Sequence, residues 1–303
     1  MTSVFIVAHH QRTEAAALTR VAAEWLGAHG HDAWVTPEDA DALALDELAN
    51  DRSPSEAGLA LSLGGDGTIL RTIKLLDGAA VPVIGANVGQ LGYLAEIEPT
   101  GLIPALERFF ASPETAGDWR IEERMMLEIT VSRTNVIRTN RADIGDPADP
   151  PEKVSRWRAL NEVVLEKGES GHTVRLLVSI DGALFTSYAA DGLIIATATG
   201  STAYSLSARG PVVSPEHRAM LLTPVSPHML FDRSLVLDPN EPIRIEVTGY
   251  RPVEVSVDGQ RVITLGEGDV LDCVPAPESA QFVRFGPRRF HQILKAKFGL
   301  TDR

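Results

Sequence analysis

Apolar residues follow two rhythms along this chain, and the change from one to the other divides it. In the first third a short apolar run, Val4–Ala8, precedes a segment in which Ala16, Leu18, Val21, Ala22, Trp25 and Leu26 recur at helical spacing up to Gly30. A strand at Ala33–Val35 and an acidic, alanine-rich stretch come next. An apolar strand at Leu59–Leu63, a glycine turn, a helix through Leu76 and a strand at Val81–Ala86 complete the βαβ order of a parallel sheet. After Trp119 the period drops to two. Val174–Ile180 and Ala183–Tyr188 flank Asp181-Gly182, and Val253–Val257 and Gln260–Leu265 flank Asp258-Gly259, two hairpin signatures. The pattern predicts an α/β domain over 1–119 and a mostly β domain over 120–286. The polar, aperiodic run 138–151 reads as an exposed loop between strands, and Phe109-Phe110 reads as core. Residues 288–298 read as a helix with Phe290, Ile293, Leu294 and Phe298 on one face, so that 287–303 packs back onto the first domain.

Composition narrows the class. A hydrophobic content of 44% with 23% charge excludes disorder, collagen and coiled coil. No apolar run approaches the roughly 18 residues of a membrane span, and the first residues lack a basic flank and a long apolar stretch, so a cytoplasmic protein without a membrane partner is expected. The single cysteine, Cys273, excludes an internal disulfide and a cysteine-rich zinc site. His9, His10, His29 and His31 lack a carboxylate or cysteine at ligand spacing and read as solvated, so no metal ligands are identified. Twenty-eight basic against 41 acidic residues, a net charge of −13, argue against nucleic acid. A phosphate-bearing ligand must be held locally. With only five lysines, arginine is the expected holder.

Gly64-Gly65-Asp66-Gly67-Thr68 stands between the Leu59–Leu63 strand and the helix that follows. Amides at such a helix start bind anions, and glycine lets a phosphate approach them. The turn lacks the Lys-Ser/Thr of a P-loop and the spacing of a dinucleotide fingerprint. A carboxylate inside an anion-binding turn repels phosphate unless it has another task, either taking a proton from a hydroxyl or helping to hold a cation. Asp66 is therefore the sharpest catalytic candidate, and a simple helix cap is the alternative. Arg71, one helical turn past Gly67, can aim at the same phosphates. Further on, Asn161 and Glu162 sit side by side in an apolar strand, where they reach one ligand only at a strand end or bulge. Ala190–Pro211 reads as an apolar strand, a hydroxyl-rich turn and a short helix, with Ser201 or Thr202 as possible N-cap. Its small polar groups and the Tyr204 ring suit a nucleobase and an amide better than a lipid.

The turn at 64–68 resembles the GGDGT signature of the NAD kinase superfamily, which includes lipid kinases. Gly85–Leu94 looks like the NAD kinase segment GxNxGxLGFL, with Tyr93 for phenylalanine. Asp191–Pro211 matches the pattern DGLIxxTPTGSTAYxxSAGGP, with Ala198 for proline and Arg209 for glycine. Pro224–His228 and Arg233–Leu237 resemble two further segments, with serines at 226 and 234. The resemblance implies a Rossmann-like α/β domain followed by a β-rich NAD-binding domain, with the ligand between them. It also implies transfer of a phosphoryl group from ATP or polyphosphate to the adenosine ribose 2′-hydroxyl of NAD. Asp66 would be the base, with Gly65, Gly67 and Arg71 on phosphates, a divalent cation, Mg²⁺ foremost, at the transferred group, and a homodimer or homotetramer as the assembly. Asn161, Glu162, Thr202 and Tyr204 would take the adenosine half, Asp191 the nicotinamide side, and Ser205 and Ser207 neighbouring polar atoms. Thr199, Ala203, Leu206, His172 and Gln260 complete the implied substrate contacts. A lipid or sugar kinase would share the glycine turn, and a non-catalytic NAD(P) sensor would share the pocket but not Asp66.

Overall fold

The parallel rhythm of the first third folds as read. In the computed structural model, which describes residues 1–89, 92–111, 119–133, 154–169, 171–286 and 290–300, β1 (Ser3–Ala8) pairs in parallel with β2 (Asp32–Trp34) and β3 (Leu59–Gly64), and β3 pairs with β4 (Val83–Asn87). Helix α1 (Thr13–Ala28) buries Ala22 and Leu26 of the expected stripe and packs Ala16, Leu18 and Trp25 partly against the core, but it also buries Ala15 and Thr19 and leaves Val21 exposed. Small residues on that face let the helix lie close to the sheet, and the Thr19 hydroxyl donates to the Ala15 carbonyl at 2.9 Å, so its burial leaves no unmet group. The acidic stretch contains helix α2 (Pro37–Leu43), started by Pro37 at N1 and by the Thr36 hydroxyl accepting from the Asp39 N–H. Helix α3 (Asp66–Leu76) follows the glycine turn, and α4 (Leu102–Phe110) follows β4. Phe109 and Phe110 are partly buried at the edge of this core, stacked on Trp119 and His31 respectively.

The sheet ends where the sequence pattern does not predict. Its order is β2-β1-β3-β4-β18-β5, where β5 is Arg120–Arg124 and β18 is Ala280–Arg284. The chain accordingly divides into residues 1–124 with 278–303 and residues 125–277, not at 119/120 and 286/287. Strands β5 and β18 cover the edge that β4 would otherwise expose. Their alternation looks like that of the β-rich domain, so the pattern cannot assign them. What they bury is also unusual: Glu122, Arg124 and Arg284 are 1–2% exposed. The terminal helix, described over Phe290–Phe298, belongs to this first unit, where the Lys297 ammonium lies 4.4 Å from the centre of the Tyr93 ring.

Among the described residues, the second unit is built from two six-stranded sheets. One has the order β10-β9-β14-β17-β6-β7, from β6 (Leu127–Ser132), β7 (Val154–Ala159), β9 (Val174–Ile180), β10 (Ala183–Ala190), β14 (Ile243–Val247) and β17 (Val270–Pro275). The other has the order β13-β12-β11-β8-β15-β16, from β8 (Glu162–Lys167), β11 (Gly192–Thr197), β12 (Met220–Val225), β13 (Leu235–Leu237), β15 (Val253–Val257) and β16 (Gln260–Leu265). Alternate residues of both, such as Leu127, Ile129, Leu176, Ile245, Val163, Leu165, Leu193 and Ile195, form a common core that includes Cys273. Burial pushes that thiol far above its ordinary pKa, so it is inert. Both Asp-Gly hairpins form with positive φ at each residue, as a two-residue primed turn requires. The outer face of β8 and β11 carries Val164, Ile194 and Ala196, which pack against Ala208 and Val213 of the segment after β11. The loop expected at 138–151 lies outside the described residues, as does the expected start of the terminal helix at Arg288.

Candidate active site

In the first unit β1 leads out to β2 on one side, and β3 then forms on the other. The carboxyl ends of β1 and β3 therefore flank a topological switch point, where open α/β sheets bind ligands. A cavity of about 510 Å³ lies there, lined by Ala8–Arg12 after β1 and by Gly65, Gly67, Thr68 and Arg71 after β3. The glycine turn, the free amides of the α3 start and two arginines thus meet at one place. Asp66 occupies the first position of α3, and its side chain does not cap the helix. Its carboxylate instead accepts the Tyr93 N–H at 2.7 Å and the Leu94 N–H at 3.0 Å. Gly92 is needed for this approach, because a Cβ there would overlap Asp66 Oδ1. Burial, then the Asp66 charge, raises the Tyr93 phenol above its ordinary pKa.

Arg71 is held as well as placed. Its guanidinium pairs with Asp39, which is buried, and Nη1 lies 2.6 Å from His10 Nε2, itself 2.8 Å from Asp39 Oδ1. His10 therefore belongs to a cavity-lining cluster and is not simply solvated. The carboxylate it meets comes from α2, 29 residues on, a separation no local spacing displays. Arg12, also missed by sequence reasoning, lies directly over Gly89, where a Cβ would overlap its guanidinium.

In the second unit the chain leaves β7 at Leu160-Asn161 and enters the other sheet at Glu162, so the amide and the acid stand at a strand start, as their use on one ligand requires. Asp258, in the β15–β16 turn, fixes this crossing by accepting the N–H groups of Leu160, Asn161 and Glu162 at 2.8, 2.8 and 3.1 Å. The Thr197 hydroxyl donates to the Leu160 carbonyl at 2.6 Å, and the Thr197 N–H donates to the Asn161 carbonyl. Glu162 is 5% exposed, accepts the Tyr204 N–H, and leaves Oε2 without a partner among the described residues. Burial, then the Asp258 charge, pushes its pKa up to about 8 despite the Tyr204 bond.

Around Glu162 the hydroxyl-rich turn sorts itself. Thr199 is buried, Thr202 bonds back to the Thr199 carbonyl at 3.3 Å, and Tyr204 and Ser207 are exposed beside the partly covered Ala203 and Leu206. Ser205 is fully buried with its hydroxyl 3.1 Å from that of Thr223, and Ser201 exchanges two bonds with the Val213 backbone. Neither Ser201 nor Thr202 caps a helix here, contrary to the sequence expectation. Asp191 is ion-paired with Lys167 at 2.6 Å. The Tyr204 phenol is raised by burial and then by the charges of Glu166 and Asp191, so Asp191 lies within electrostatic reach of the ring. Exposed His172 lines a separate cavity of about 280 Å³ with Lys167, Tyr250 and Arg251. Exposed Gln260 opens β16, two residues past Asp258.

Comparison with known proteins converges on one family. The models of the ATP-NAD kinase N-terminal and C-terminal domains match residues 4–114 and 160–285. An NAD kinase of Heliobacterium modesticaldum is 37% identical over 98% of both chains, and one of Moorella thermoacetica is 43% identical over 78% of this chain and 70% of its own. The crystal structure of yeast NADH kinase complexed with NADH superposes with a TM-score of 0.80 at 26% identity, covering 100% of this chain and 89% of the other. Both domain models, matched across most of its length, and these relatives show that the chain belongs to the NAD kinase family.

Proposed function

We propose that the chain transfers the terminal phosphoryl group of ATP to the 2′-hydroxyl of the adenosine ribose of NAD, giving NADP and ADP. The ribose oxygen forms the new bond to the terminal phosphorus, the bond to the β–γ bridging oxygen breaks with its electrons going to ADP, and the hydroxyl proton passes to Asp66. The observation that carries this reading is the Asp66 carboxylate, turned away from its own helix and held by two backbone N–H groups between two glycines that line a cationic cavity. Arg71 and the amides at Gly65 and Gly67 steady phosphates, and inorganic polyphosphate is a second donor of the same chemistry. Asn161, Glu162, Thr199, Thr202, Ala203 and Tyr204 take the adenosine half, and Glu162 Oε2, unpartnered among the described residues, offers it a polar contact. Asp191 serves the nicotinamide side, with His172, Leu206, Ser207 and Gln260 as outer contacts and Ser205 holding the turn from behind.

A divalent cation, foremost Mg²⁺, offsets charge on the transferred group. Among the described residues no three His, Cys, Asp or Glu side chains converge on a cage. Mg²⁺ does not need one, since it is commonly held by one or two carboxylates and the substrate phosphates, and Asp66 is the acid within this turn. No helix among the described residues is long and apolar enough to cross a membrane. We place the protein in the cytoplasm as a homodimer or homotetramer, which light scattering tests. Incubation with NAD, ATP and Mg²⁺, with NADP detected by a dehydrogenase that uses only NADP, tests the activity. Phosphorylation of diacylglycerol instead of NAD, or NAD binding without turnover, overturns it.

A further inference from the structure

Asp66 can act as a base only if the segment that orients it is itself fixed, and that segment is secured from the far end of the chain. Leu94, which donates its N–H to Asp66 Oδ1, offers its carbonyl to Arg284 Nη1 at 3.0 Å across 190 residues of sequence. Arg284 is 1% exposed and also binds acids of the same unit. Its Nε donates to Glu122 Oε1 at 3.0 Å, and Nη1 lies 3.3 Å from Glu96 Oε2. Glu96 in turn accepts the Phe285 N–H at 3.2 Å, and Glu122 is also held by Arg124. Burial alone would raise the Glu122 carboxyl, but Arg284 and Arg124 outweigh it and hold it at about 2, so the anchor stays charged throughout the working range of an enzyme. A second contact from the same end of the chain meets the other donor to Asp66, since Lys297 lies over the Tyr93 ring.

Stability does not by itself call for such a cluster, because buried ion pairs are often replaceable by apolar residues without loss. Its geometry does something an apolar replacement cannot. One planar guanidinium joins Glu122 of the edge strand and Glu96 of the segment after β4 to the carbonyl of the residue that aims Asp66. We infer that Arg284 is a positioning residue for Asp66, acting through Leu94, and that the C-terminal strand is thereby part of the catalytic apparatus. The inference rests on the proposed role of Asp66 as base. Lysine keeps the charge but offers its donors from a single nitrogen, so it cannot span Glu122, Glu96 and Leu94 together.

The test is a double-mutant cycle in the full chain with NAD, ATP and Mg²⁺. Arg284→Lys should lower kcat about 10- to 100-fold, the scale of a 1 Å misplacement, with the KM for NAD changed less than about twofold. In an Asp66→Asn background the same substitution should change kcat less than about threefold, since the group it positions is gone. An equal loss in both backgrounds, a loss in KM alone, or full kcat in Arg284→Lys overturns the inference. Should Arg284→Lys fail to fold, Glu96→Gln, which removes one charge from the fork at constant volume, runs the same cycle with the same criteria. A wild-type rate in Asp66→Asn alone would instead sink the role of Asp66, so the two failures are distinguishable.

Discussion

Asp66 and Glu162, one in each unit, are both acids at the first residue of an element, and they are held in opposite ways. Asp66 is half-exposed, and each of its oxygens accepts a backbone N–H. Glu162 is buried, one oxygen meets the Tyr204 N–H, and the other meets nothing among the described residues. The first arrangement orients a carboxylate and leaves lone pairs for a proton, as a base requires. The second leaves a buried carboxyl oxygen without a hydrogen-bond partner, an arrangement that a polar group of a ligand relieves. Orientation without full burial suits chemistry, and burial without full satisfaction suits recognition.

Substitutions can break this contrast, and the largest effect is expected at Asp66. Asp66→Asn should cost on the order of 10²- to 10⁴-fold in kcat while calorimetry finds NAD binding retained. An unchanged rate would remove Asp66 from the reaction. Glu162→Gln acts on stability and on its pH dependence. Because the folded chain holds the Glu162 proton more tightly than the unfolded chain, its contribution weakens as pH rises from about 4.5 to 8. The variant should therefore be more stable than the parent at pH 9, by an amount on the order of a few kcal/mol, and equal to it near pH 4. Parallel denaturation curves at both pH values would contradict the proposed burial cost.

Gly92→Ala probes the orientation of Asp66 without replacing the acid. The new methyl displaces Asp66 Oδ1, so kcat should fall about 10-fold or more with the NAD Kd unchanged. The smallest effect is at Arg209, which ends the helix whose Tyr204 N–H bonds Glu162 and which has φ 67°, a conformation that glycine adopts without strain. Arg209→Gly should raise stability by about 1 kcal/mol in a thermal melt, with the Glu162 pH effect preserved.

Much of this was legible along the chain. The βαβ order, both Asp-Gly hairpins, the glycine turn at a helix start and the hydroxyl-rich turn after an apolar strand all depend on residues close in sequence, whose backbone preferences are local. Less could be read where a residue serves two ends. Asp258 is a turn residue by its neighbours, and only the fold puts its carboxylate under the N–H groups of residues 160–162, almost a hundred positions away. His10 and Asp39 look unrelated until two strand–helix connections bring them to Arg71. The inward Glu122 and Arg124 of the RIEER strand at 120–124 make sense only against Arg284.

By itself, then, the order of residues determined the two rhythms, the turns between strands and the motifs that mark the family, because each is written in spacings of two to a few residues. The tertiary structure alone decided which strands close the parallel sheet, which acid is satisfied and which is left wanting, and what holds Asp66 in place. Those outcomes rest on contacts between distant segments, where burial and hydrogen-bond partners set the energy of a charge and no local pattern records them.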